Sequence, residues 1–178
     1  MKYFLTPTGI ILLVTIVCHP GQGPEQLPSG AKVTSPDKKI VAVYNPDQLE
    51  IRDVNTDQLY ESVTVSLIYA LRWTRDSSSL IAVEQIAHGS DAVVLHRNAR
   101  DWTSFRITPP GDSYKDYAVV ALKAQQSSFE ITYRVSGPAA LYVISFAIDP
   151  ATRAISDVRR EEVGFDEWSK LPMFGDKE

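Results

Sequence analysis

Ser35-Pro36-Asp37-Lys38-Lys39-Ile40-Val41-Ala42-Val43 is a tight polar turn that opens into an apolar strand. The pattern returns as Trp73-Thr74-Arg75-Asp76-Ser77-Ser78-Ser79-Leu80-Ile81-Ala82-Val83, with Asp76 standing 39 residues beyond Asp37. A weaker copy, Leu122-Lys123-Ala124-Gln125-Gln126-Ser127-Ser128-Phe129-Glu130-Ile131-Thr132, follows 49 residues later, counted from Leu80 to Phe129. Periods of this size mark a repeat architecture in which each unit stacks on the next.

Outward from these turns the chain reads as strand and turn with period-two alternation, too short-ranged for most helices. Strands are expected over 40–44, 49–53 and 59–65, separated by Asn45-Pro46-Asp47 and Asn55-Thr56-Asp57. The second unit leads in over 65–73 and continues with strands at 80–85, 92–97 and 103–108, until Pro109-Pro110-Gly111-Asp112 ends it. Proline cannot donate to a ladder, so that stop is firm. The third unit has 117–123, 129–135, 141–148 and 155–163. Phe129, Ile131, Tyr133 and Val135 alternate there with Glu130, Thr132 and Arg134, the pattern of a half-buried strand. After it, Phe165, Trp168 and Leu171 lie three apart in an acidic, aromatic tail, which fits one helical turn.

The N-terminus carries a different signal. Lys2 precedes an apolar run from Gly9 to Cys18, which reads as an export signal. The run is about ten residues, short of the ~20 that span a bilayer, so no transmembrane segment is expected once the signal is removed. Gly21 and Gly23 are small enough for a cleavage site, although Pro24 would follow it; Cys18 offers a lipid anchor, although Val17 is bulky before it. The expected layout is a signal peptide over 1–20, a proline- and glycine-rich tether over 21–31, an all-β domain over 32–163 and the tail over 164–178. Cys18 is the only cysteine, so the domain relies on its packed core and holds no disulfide. The net charge of −4 comes without a basic run, which argues against a nucleic-acid partner.

The unit resembles the bacterial WD40-like propeller repeat of the TolB type, whose signature is Ser-Pro-Asp-Gly-x-x-Ile-Ala followed by further strands. Ser35-Pro36-Asp37 matches it, and Trp73-Thr74-Arg75-Asp76 matches the common Trp-Ser-Pro-Asp form in part. Ile51-Arg52-Asp53-Val54-Asn55-Thr56-Asp57-Gln58 is similar to the strand and turn that usually read Val-Trp-Asp-x-x-Thr-Gly-x. The resemblance covers about residues 33 to 163, and departs where Lys38, Ser77 and Asp57 replace the usual glycine. It implies an all-β fold of propeller-like repeats of antiparallel strands. Propellers close with about four to eight blades, so three units imply closure by a second copy, a small β-barrel or β-sandwich, or a cover from the C-terminal segment.

Candidate chemistry is sparse. Ser35 and Lys38 fit Ser-x-x-Lys, but they occupy a turn and lack the helix such a pair needs. Gly111-Asp112-Ser113-Tyr114 resembles the Gly-Asp-Ser opening of one esterase family, yet no histidine follows to act as base, and it reads as loop. His88, Asp91 and His96 lack metal-ligand spacing and read as a turn with solvated histidines. Asp53, Asn55 and Asp57 alternate as in a calcium loop, but Gln58 and Thr64 stand where glycine and glutamate are needed, which leaves a plain turn. Trp73 and Trp102 flank strands and are expected in the core. No catalytic, cofactor or metal residue is expected, and binding residues are not specified. The reading is an exported, non-enzymatic β-repeat scaffold for a protein or envelope partner, able to self-associate. The alternative is a small exported hydrolase or carbohydrate-binding domain, which requires Asp, His or Ser side chains to converge in one pocket.

Overall fold

The computed structural model describes residues 26–99, 101–111 and 114–171. The expected signal peptide, Cys18 and Asp112-Ser113 of the loop lie outside them. Twelve strands and one short helix follow in chain order among the described residues.

The first four strands, β1 (Ala31–Thr34), β2 (Ile40–Asn45), β3 (Gln48–Asp53) and β4 (Leu59–Thr64), pair in sequence order as an antiparallel sheet. The second unit repeats this with β5 (Ile68–Trp73), β6 (Ser79–Ile86), β7 (Gly89–Asn98) and β8 (Asp101–Ile107). The third does so with β9 (Asp116–Ala124), β10 (Phe129–Ser136), β11 (Leu141–Ile148) and β12 (Ile155–Val163). Three successive four-stranded meanders are three propeller blades. The fold is therefore all-β and propeller-like. The first blade has one strand more than the three expected from the sequence. The extra strand of the first blade is β1, which lies across the start of the expected domain. Ahead of it, Leu27 N–H bonds to Ile68 O at 2.8 Å and Gly30 N–H to Tyr44 O at 2.7 Å, so the body begins before Lys32.

Two apolar cores hold the blades. Ile40, Tyr44, Leu49 and Ile51 of the first blade pack with Leu71 and Leu95 of the second. On the other side, Val83 and Val94 of the second blade pack with Ile131, Tyr133, Ile144 and Phe146 of the third. Tyr133 stacks on Phe146 with centroids 5.9 Å apart, and its hydroxyl donates to Ile107 O at 2.7 Å. Each such side chain contributes about 1.5–3 kcal/mol when fully buried. Trp73 and Trp102 lie in the first core, at 7% and 8% exposure, as expected from their positions.

The repeated turns also join the blades. Lys38, Ser77 and Asp57, the residues that replace glycine, have φ of 61°, 63° and 56°. The backbone keeps the left-handed conformation that glycine would favour, at about 1–2 kcal/mol per residue. Ser35 Oγ donates to Asp37 at 2.6 Å and accepts Ile40 N–H at 3.1 Å. Thr74 Oγ1 repeats both bonds, to Asp76 at 2.7 Å and from Ser79 N–H at 3.0 Å. Asp37 N–H then donates to Ser77 Oγ at 3.0 Å, tying the first turn to the second. Arg75 and Asp76 N–H donate to Gln125 O and Gln126 O, each at 3.0 Å, tying the second to the third.

The outward faces of the end blades mix polar side chains with apolar ones, Val41 and Val43 on the first blade and Val143 and Ala147 on the third. By register and alternation, Lys32, Thr34, Glu50 and Arg52 share one, and Lys123, Glu130, Thr132 and Arg134 the other. Helix α1 (Phe165–Lys170) packs on β11. Trp168 from this helix lies 4.5 Å under the Arg134 guanidinium, a cation–π contact. The C-terminal segment thus packs on the face of the third blade at β11 and leaves the edge strand β12 exposed, so it is not the edge cover expected for an array of three units.

Candidate functional site

The structure brings a serine, a histidine and an aspartate together at the junction of the second and third blades. Ser79 opens β6 and His96 lies opposite it on β7, so their side chains share one side of the sheet. Ser79 Oγ and His96 Nδ1 are 2.8 Å apart. Asp149, in the turn after β11, is close enough to interact electrostatically with His96. Its carboxyl is held below the usual range chiefly by the Thr152 hydroxyl and the Ala151 N–H, with a smaller contribution from His96. On the other side of Ser79, Ser78 Oγ donates to Asp76 at 2.7 Å. Burial opposes ionisation of Asp76, but the bonds from Ser78 and Thr74 outweigh it and hold its carboxyl low.

A nucleophile must reach a substrate, and Ser79 is fully buried with its hydroxyl engaged. The Ser79–His96 hydrogen bond instead satisfies two buried polar groups within the second blade, which lowers the penalty for enclosing them. His96 is 8% exposed, so the expectation of a solvated histidine there is corrected. The pairing of β7 with β6 and β8 encloses it. His88 does stay exposed, and its Nδ1 lies 3.5 Å from Asp116. Asp91 does not sit in the turn with it but on β7, 6% exposed.

Other sequence candidates resolve into local structure. Ser35 is buried in its turn and bonded within it. Asp53 accepts the N–H groups of Asn55 and Thr56, both at 2.8 Å, so the alternating oxygens cap a turn. No group of three metal-ligating side chains occurs among the described residues.

Asp91 belongs to a second polar cluster, which nothing in the spacing of the sequence indicated. It pairs across the strands with Glu84, itself 3% exposed. Glu84 accepts Arg106 Nε at 2.8 Å and Ser66 N–H at 2.9 Å. Asp91 Oδ1 is buried with no partner among the described residues. Burial, reinforced by the Glu84 charge, pushes the Asp91 carboxyl up to about 6.

Two surface features complete the survey. A groove of about 310 Å³ on the third blade is lined by Ser128, Glu130, Ser145, Asp157 and Arg159, beside the bulge where β11 and β12 lose register. At the opposite end of the stack, the β3–β4 hairpin exposes Val54, Leu59 and Tyr60 at 44%, 47% and 41%.

The chain is similar in structure to β-propeller proteins. Kluyveromyces lactis Hsv2 matches at 13% identity over 75% of this chain and 46% of its own, with a TM-score of 0.42. A Bacteroides fragilis protein described as a candidate 6-phosphogluconolactonase matches at 11% identity over 83% and 42%, with a TM-score of 0.47. TolB from Acinetobacter baumannii matches at 13% identity over 71% and 31%, with a TM-score of 0.37. This chain thus spans less than half the length of each of these three. No protein-family model and no curated protein matches it.

Proposed function

We propose that the protein is an exported, non-enzymatic β-propeller-type scaffold that binds a protein or envelope partner. The observation that carries this reading is the exposed β3–β4 hairpin. Val54, Leu59 and Tyr60 remain in water while Ser79 and His96, the pair resembling part of a catalytic set, are buried against one another in the second blade. Exposed apolar and aromatic side chains on a rigid hairpin suit a contact surface. Tyr60 is held by its hydroxyl, which donates to Asp53 Oδ2 at 2.9 Å, so less ordering remains to be done on binding.

A photo-crosslinking residue at position 59, in the cell that makes the chain, tests this. Capture of one discrete protein in the envelope or exported fraction, lost on adding Val54→Ser and Tyr60→Ser, is the expected result. Cytoplasmic recovery removes the export reading. Hydrolysis of an ester, phosphate or glycan panel that disappears in Ser79→Ala would instead establish the hydrolase.

A further inference from the structure

We propose that Asp91 makes the junction of the second and third blades a proton-controlled joint, closed when its carboxyl is protonated and loosened when it ionises. The placement carries this. Asp91 follows directly on Gly89 and Ser90, which join these blades. Gly89 pairs with Tyr117 of β9 in a parallel bridge, and Ser90 Oγ accepts Val119 N–H at 2.8 Å. At Gly89 the strands are so close that a Cβ would lie 1.7 Å from Tyr117 O. A charge at position 91 is therefore enclosed where the blades meet.

Burial and the Glu84 carboxylate favour the uncharged form and outweigh the Ala92 N–H and the Arg106 charge, which oppose it. Glu84 on β6 brings a second carboxylate, and Arg106 on β8 is already engaged with Glu84. Tyr117 on β9 and Tyr133 on β10 interact with Asp91, and its charge disfavours their ionisation further. Nearer the surface, His88 and Asp116 pair with one another. Asp91 Oδ1 has no donor among the described residues, so ionisation leaves a negative oxygen buried without a hydrogen bond. Opening the joint admits water and restores the ordinary carboxylate range. The closed form thus binds the proton more tightly. Stability of the joint is fully present below the ordinary aspartate range and is lost as pH rises through about 6.

The test is amide hydrogen exchange on the full chain from pH 5 to 7, corrected for intrinsic rates. Protection of Val119 N–H is expected to fall about tenfold across that range, following the difference between the closed and ordinary carboxyl affinities. Amides of the β2–β3 pair, in the first blade, are expected to hold steady. In Asp91→Asn the fall should vanish. Flat protection in the native chain, an equal fall in all three blades, or a fall that survives Asp91→Asn would each overturn the proposal. If Asp91→Asn does not fold, carbon-13 titration of the Asp91 carboxyl decides: a midpoint near 6 supports the joint, and one near 4 sinks it.

Discussion

Strands β7 and β12 are almost equal in length and opposite in surroundings. β7 is buried from Ser90 to His96, whereas β12 is exposed at every residue from Ile155 to Glu162. The difference lies in neighbours. β7 sits in the middle blade with a core on each face, so Ala92-Val93-Val94-Leu95 runs apolar without alternation. β12 is an edge strand, and Arg159-Arg160-Glu161-Glu162 places charge along it, which discourages pairing with other chains. A strand's sequence pattern thus reports how many cores it touches.

The largest expected effect comes from blocking the close approach of β7 to β9 at Gly89. Gly89→Ala forces a side chain against Tyr117 O at a φ of 141°, and should lower unfolding stability by more than about 4 kcal/mol in urea titration. Next, Leu95→Ala in the middle blade should cost about 3 kcal/mol, while Val158→Ala on β12 should stay within about 0.5 kcal/mol. Equal losses would remove the distinction between centre and rim. The smallest effect sharpens it at the turns. Lys38→Gly relieves a left-handed residue and should gain about 1 kcal/mol in thermal unfolding. Ser77→Gly relieves the same strain but gives up the bond from Asp37 N–H, so it should gain less.

Strand positions were readable because turn residues punctuate them. Asn45-Pro46-Asp47 separates β2 from β3, and Asp47 has the positive φ that such turns accommodate. The strand β1 was harder to read, since Ala31–Thr34 has only four residues and follows a proline- and glycine-rich stretch. The joining of Ser79 to His96 was not legible, because they meet only through the β6–β7 register. Burial of Asp91 was hidden for the same reason: its neighbours include Tyr117 and Tyr133 on later strands. The exposure of Val54, Leu59 and Tyr60 also depends on which hairpin lies at the end of the stack, which local pattern does not encode.

Trp73 and Trp102 meet edge to face, with centroids 6.1 Å apart and planes at 75°. Indole transition dipoles held this close and crossed in this way couple, so the folded chain should show a paired positive and negative band in its circular dichroism. Trp73 Nε1 also donates to Val33 O in the first blade, at 3.0 Å. The band pair would therefore give an optical readout of whether the first blade stays seated on the second, without a label.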